Sequence, residues 1–295
     1  MNNTAARARI LIVDSAPEAA RVLLAQHGGA SRSDNYADAL RAQARGLFGE
    51  LDFFVIAAGD CEKLPQGVAF SDFQGIVWTG SPFNAYAPGP VIRHQIDFAR
   101  AAFESGVPGF GSCWGMQAMS TALGGRVHLN PRGYEFGIAR QIRVNGAGQD
   151  HDMYRGKPTT FDALCSHEDE VCAPPPGAVV LAGNDHSAVQ AIVCDDGARS
   201  FWGVQYHPEY NIGQMAALFS RAAARLVQEG FVQQDDDAVK LASDFRSLHR
   251  DPTRKDLAWR YGLGTDITDA SRHGLELANW LRVKVAPKAA TRPER

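Results

Sequence analysis

Residues 109–117 read GFGSCWGMQ: a short apolar lead, one cysteine among small residues, then the start of an amphipathic run. Val107, Pro108, Gly109 and Phe110 suit a buried strand, and apolar residues from Trp114 to Leu123 recur at helical spacing. Gly111 and Ser112 before Cys113, and Gly115 after it, permit a turn tight enough to hold that side chain out between strand and helix. A thiol so placed sits at a helix N-terminus, where the helix dipole is expected to lower its pKa and favour the thiolate. The pattern predicts a nucleophile elbow.

Working outward towards the N-terminus, Ala8–Asp14 is a buried-type strand and Glu18–Gln26 a helix. His27–Arg32 is a break, after which Ser33 and Asp34 offer an N-cap for a second helix to about Phe48. Leu51–Ala57 and Gly75–Trp78 read as strands, the latter led in by Phe70 and Phe73 and followed by Thr79-Gly80-Ser81-Pro82. Val91–Phe103 reads as a helix. This order predicts an α/β fold, a doubly wound, mostly parallel sheet with flanking helices.

Beyond the elbow, Gly124-Gly125 stops the helix, and Val127, Ile138, Ile142 and Val144 mark short strands. Residues 145–162 read as a polar surface loop. Further strands are expected at Val179–Ala182, Ala188–Cys194 and Ser200–Tyr206, the last running into His207-Pro208-Glu209. An amphipathic helix, Met215–Val227, then closes a domain spanning residues 1–230. Residues 231–284 read as a helical extension, with an acidic turn at Gln234–Asp237 and helices at about Thr253–Tyr261 and Asp269–Leu281. Trp259, Tyr261, Leu277 and Trp280 give it apolar faces for docking. Residues 285–295, rich in Ala, Pro and Arg, are expected to be disordered.

Composition narrows the function. A net charge of −3 with 21% charged residues offers no electrostatic reason for nucleic acid or an anionic membrane as partner. No apolar run approaches the roughly 20 residues of a membrane span, and the polar start passes directly into a strand, so the cytoplasm is the expected location. Five cysteines, odd in number and without CxxC spacing, suggest neither a disulfide framework nor a metal site. Cys61, Cys165, Cys172 and Cys194 are read as structural. No cofactor is called for.

A cysteine nucleophile needs a base, and the base needs a partner to fix its tautomer. His207 and Glu209, two apart after a late strand, supply both, and in a parallel sheet they would meet Cys113 at the strands' carboxyl ends. The oxyanion of a tetrahedral intermediate would be met by the Trp114 backbone N–H and by a loop amide. Pro82 has no N–H, which leaves Gly80 and Ser81. His167 with Glu168 is a competing pair, and His186 after Asn184-Asp185 reads as a turn residue.

At these residues the chain resembles the class I (triad) glutamine amidotransferases, and among them the glutaminase domain of GMP synthetase. The shared segments are Thr79–Pro82, GSCWGMQ with Leu123-Gly124-Gly125, Tyr134-Glu135-Phe136-Gly137, Ser166–Val171 and Gly203–Glu209, all in family order across roughly residues 8–228. The resemblance implies hydrolysis of the glutamine side-chain amide through a thioester at Cys113, with Gly80 and Trp114 lining the oxyanion hole. It also implies that Ser81, Gln117, Phe136 and Gly137 grip the amino-acid end of the substrate. Three features depart from the family: Thr79-Gly80 replaces the usual Gly-Gly, the crossover after the first strand is long, and no synthetase domain follows within these residues.

The leading expectation is therefore a glutaminase supplying ammonia to a separate synthetase or amidating subunit. The alternative is hydrolysis of γ-glutamyl amides or peptides by the same triad. A non-catalytic binding or regulatory protein ranks below both, and homo-oligomerisation stays open.

Overall fold

The computed structural model describes residues 7–290; the polar lead, and residues 291–295 of the expected disordered tail, lie outside the described residues. In chain order the elements are β1 (Arg7–Val13), α1 (Glu18–Gln26), α2 (Arg32–Gln43), β2 (Glu50–Ile56), β3 (Gly75–Trp78), α3 (Pro90–Glu104), β4 (Gly109–Ser112), α4 (Trp114–Ala122), β5 (Arg126–Leu129) and β6 (Glu135–Val144). There follow α5 (Gly146–Gln149), β7 (Thr160–His167), β8 (Asp169–Ala173), β9 (Val179–Gly183), β10 (Ala191–Asp195), β11 (Ser200–Val204), α6 (Ile212–Arg221) and α7 (Ala223–Gln228). The last are α8 (Asp235–Arg250), α9 (Lys255–Arg260), α10 (Thr265–Thr268), α11 (Ala270–His273), α12 (Leu275–Trp280) and, after a π-helical turn at Leu281–Val285, α13 (Ala286–Ala290).

Nine strands form one sheet in the order β2-β1-β3-β4-β11-β10-β9-β6-β7, and β5 pairs with β8 separately. From β2 to β11 the neighbours run parallel, and from β11 to β7 antiparallel. The inner parallel strands β1, β3, β4 and β11 are buried on both faces, as strands covered by helices on each side must be, while the edge strand β2 is only partly covered. Their alternation sends Ile10, Ile12, Val77, Phe110 and Trp202 to one face and Leu11, Val13, Ile76, Trp78 and Phe201 to the other. Helices α3 and α4 cover the second face. Because β4 lies between β3 and β11, the segments following these strands, Thr79–Pro82, Cys113 and Gln205–Glu209, meet at one edge.

Several local expectations change. Helix α2 starts at Arg32, capped by Ser31, whose Oγ accepts from Asp34 N at 2.9 Å, rather than at Ser33. Residues 145–162 are no surface loop: Met153, Tyr154 and Phe161 are buried in the core. Gln234–Asp237 is the cap and first turn of the 16-residue α8, where three aspartates favour the positive helix end. Its buried Ala238, Ala242, Phe245 and Leu248 pack against α6 and its surroundings.

The extension does more than dock. Leu277, Trp280, Leu281 and Val285 join the core on the first face of the sheet, and the Trp280 indole lies over Gly75, where a Cβ would meet its ring carbon at 2.6 Å. Residues 285–290, expected to be disordered, are helical, with Val285 and Ala289 buried. No helix among the described residues is long and apolar enough to cross a membrane.

Candidate active site

Cys113 caps α4 with φ 51° and ψ −107°, a region that non-glycine residues occupy at a cost of about 1–3 kcal/mol. The surroundings hold it there. Its N–H donates to Val204 O at 2.8 Å and its carbonyl accepts from Gln117 N at 3.1 Å. Gly115 lets α4 settle on β3, since a Cβ at that position would lie 2.7 Å from Trp78 Cβ. The thiol points at Ser166 O, 3.7 Å away. Its expected low pKa is not found: burial pushes it up to about 12, the Trp114 amide opposing too weakly, and the charges of Glu209 and Asp169 add to the rise.

His207 follows β11 and is anchored through its N–H to Leu164 O at 2.8 Å. Its Nδ1 lies 2.7 Å from Glu209 Oε1, and both side chains are buried. The same carboxylate oxygen accepts from Ser112 Oγ at 2.8 Å, and Ser112 Oγ accepts from Tyr36 OH at 2.8 Å. Burial, then the Glu209 charge, hold the Tyr36 hydroxyl far above its ordinary pKa, so it stays a donor.

Gly80 wedges between the two groups. A Cβ built there would stand 2.8 Å from His207 Cε1 and 3.7 Å from Cys113 Cβ. Thr79 Oγ1 accepts from Ser15 N at 3.0 Å and donates to Gly80 O at 3.1 Å, while Ser81 Oγ donates to Ser15 O at 2.8 Å. The loop is thus tied to the end of β1, and the Ser81 hydroxyl is committed to that tie although Ser81 lines the cavity.

The Trp114 indole is buried and bonded to Gln95, and its backbone amide stands at the start of α4, next to Cys113. Gln117 lines the cavity, with Nε2 donating to Asp169 O at 3.1 Å and Gln205 Oε1 at 3.2 Å. Phe136 and Gly137 do not line it: Phe136 stacks on Tyr134 with centroids 4.8 Å apart, and Gly137 lies against Phe219. Tyr134 faces the cavity in their place. His167 reaches the cavity wall, but both its ring nitrogens face acceptors, Glu135 Oε2 at 2.8 Å and Asp169 O at 3.0 Å, so it is not available as the base. Burial raises Glu135, but the bonds from His167, Asn184 and Gln190 outweigh it and leave the carboxyl below its usual range. His186 serves the Asn184–Ser187 turn and meets Gly133 O.

The cavity over Cys113 has a volume of about 140 Å³. It also receives Asp169, from the shared Ser166–Val171 segment, and Asn84, Tyr210, Arg32, Arg221 and Arg225, none of which the sequence singled out. Arg32 and Tyr36 belong to the long crossover and stand four apart on α2, a spacing that places both on one face; Tyr210 directly follows Glu209. Among the described residues no cluster of His, Cys, Asp or Glu is arranged to hold a metal, and no cysteines are paired.

The family profile "Glutamine amidotransferase class-I" matches residues 34–224. Over 284 residues, 95% of this chain and 94% of the relative, the sequence is 32% identical to a γ-glutamyl-L-1-hydroxyisopropylamide hydrolase of Pseudomonas sp.. Over 188 residues it is 35% identical to the glutamine-hydrolysing GMP synthase of Thermomicrobium roseum, covering 59% of this chain but only 33% of that protein. In fold it is similar to a glutamine amidotransferase of Methylobacillus flagellatus (TM-score 0.64, 19% identity, 93% and 94% of the two chains). A second such structure, from Thermotoga maritima, has a TM-score of 0.60 at 17% identity over 85% and 98% of the chains. With the profile spanning well over half of its residues, the chain belongs to the class I glutamine amidotransferase family.

Proposed function

We propose that this chain hydrolyses γ-glutamyl amides through a thioester at Cys113. The observation that carries this is the wedge of Gly80 between His207, itself bonded to Glu209, and the strained Cys113. In this scheme the substrate's γ-carbonyl carbon meets Sγ as His207 Nε2 takes the thiol proton, a transfer made necessary by a thiol held near pKa 12. The carbonyl oxygen turns towards the Trp114 and Gly80 amides. His207 returns the proton to the departing amine, and water, deprotonated by the same imidazole, frees glutamate. Glu209 holds Nδ1–H throughout.

A γ-glutamyl amide is favoured over glutamine as substrate by the near-full-length similarity to a hydrolase named for such a compound. Ammonia donation to a separate synthetase is the second reading, supported by the partial match to GMP synthase. Glutamate release from γ-glutamyl-L-1-hydroxyisopropylamide and from L-glutamine separates them. A kcat/KM at least about tenfold higher for the amide is expected; a preference for glutamine would restore the ammonia-donor reading, and turnover of neither would leave a binding role.

A further inference from the structure

We propose that Arg32 and Arg221 form an anion subsite on the leaving-group side of this cavity, making the preferred substrate a γ-glutamyl conjugate of a carboxylate-bearing amine, that is, of an amino acid. This builds on the hydrolase reading and names its substrate class.

Arg32 is only 5% exposed, lines the cavity, and has its Nη1 buried without a hydrogen-bond partner. Among the described residues it forms no ion pair. Asp14 is close enough to feel its charge, but is not paired with it and accepts instead from Ala16 N at 3.1 Å. Arg221 of α6 faces the same cavity, likewise unpaired among the described residues, and feels the Arg32 charge. Arg225 differs: it is bonded to Glu168 and lies over the Tyr134 ring at 4.0 Å. Two guanidiniums gathered without an anion are costly to bury unless a ligand completes them.

Their neighbours assign the side. Tyr210 and Arg221 both feel the Arg32 charge, and Tyr210 stacks on His207. Asp169 belongs to a different group, held by Asn84 Nδ2 at 2.8 Å and Tyr86 OH at 3.1 Å, with its carbonyl on Gln117. Asp169 suits the α-amino group of the glutamyl unit. The departing nitrogen must receive its proton from His207, so its substituent projects past the imidazole towards Tyr210 and Arg32. A carboxylate there meets guanidinium donors, which grip it far better than they would a hydroxyl. The long crossover that departs from the family pattern is what brings Arg32 to this position.

The test compares γ-glutamyl-L-alanine with γ-glutamyl-L-1-hydroxyisopropylamide, in which a hydroxymethyl group replaces the carboxylate. Wild type should favour the acid by at least about tenfold in kcat/KM, the value of one charge-assisted hydrogen bond. In Arg32→Gln the ratio should collapse towards one, and Arg32→Lys should retain part of it. Equal rates in wild type overturn the subsite and leave the hydrolase standing, as does an Arg32→Gln loss that is the same for both compounds. Should neither compound turn over, calorimetric titration of Cys113→Ala reads the subsite without catalysis. Binding of the acid at least about tenfold tighter, and weakened by salt, supports it; equal affinities overturn it.

Discussion

The His207 imidazole lies flat on the Tyr210 ring, with centroids 3.9 Å apart and planes 3° from parallel. Together with the Glu209 bond at Nδ1, this stack leaves the imidazole one orientation, with Nε2 turned to the Gly80 and Cys113 side. A ring so held has little to reorganise during proton transfer.

Replacing Glu209 with Gln should therefore act on catalysis rather than binding. We expect kcat to fall by roughly 10²–10⁴ with KM changed little, because the tautomer and the imidazolium lose their support. Ser112→Ala, which removes one donor to the same carboxylate, should cost about tenfold in kcat. Steady-state kinetics of both variants on γ-glutamyl-L-1-hydroxyisopropylamide checks the order; equal losses would mean that the Tyr36–Ser112 chain matters as much as the carboxylate.

Gly80→Ala places a methyl 2.8 Å from His207 Cε1, and the imidazole, pinned by Glu209 and Tyr210, must give way. A displacement of this kind should lower kcat/KM by about 100-fold. The loop is held by Thr79 and Ser81, so the thermal midpoint should move by only a few degrees, about 1 kcal/mol or less. Kinetics paired with thermal denaturation separates the two effects.

The buried thiol predicts a pH dependence of stability. Cys113 has an ordinary pKa of 9.0 and is held near 12 in the fold, so the unfolded chain loses this proton first. The stability it contributes is complete below about pH 9 and declines as pH rises towards 12, by up to about 1.4 kcal/mol per pH unit. Cys165 and Cys194 are also raised by burial and add their own slopes. The measurement is thus a difference: chemical denaturation of wild type and Cys113→Ala between pH 8 and 10.5 should show the shallower decline in the variant.

Lys157 Nζ and Glu276 Oε1 form a fully buried pair at 2.5 Å, and the same oxygen accepts from Tyr206 OH at 2.6 Å. Glu276→Ala would strand a buried ammonium at a cost of about 3–5 kcal/mol, whereas breaking an exposed, water-screened pair such as Arg7–Asp52 should leave stability nearly unchanged. Truncation after Gly230 should be more severe still, since it uncovers the sheet face under Trp280 and Val285. Denaturant titration of Glu276→Ala, and the solubility of the truncated chain, test this; a truncated chain that folds and turns over substrate normally would show the extension dispensable.

Much of this was legible in the linear chain. The strands up to β4, the elbow and His207-Pro208-Glu209 are encoded by neighbours in sequence, through alternation, helical spacing and glycine placement. The acidic start of α8 concealed a helix because its apolar face begins only at Ala238, and residues 145–162 concealed Met153, Tyr154 and Phe161 because polar neighbours outnumber them. Phe136 and Gly137 matched a motif, yet in the fold Phe136 stacks on Tyr134, Gly137 lies against Phe219, and neither lines the cavity.

Local patterning was thus sufficient for the order of the elements and for the kinds of group at Cys113, His207 and Glu209. It was silent on what surrounds them. The thiol's high pKa, the Tyr36–Ser112–Glu209 chain, the unpaired guanidinium of Arg32 and the covering of the sheet by Trp280 all arise from residues far apart in sequence. Burial, and with it the cost of a charge, is set by what packs across a space, and a chain acquires that only on closing its core.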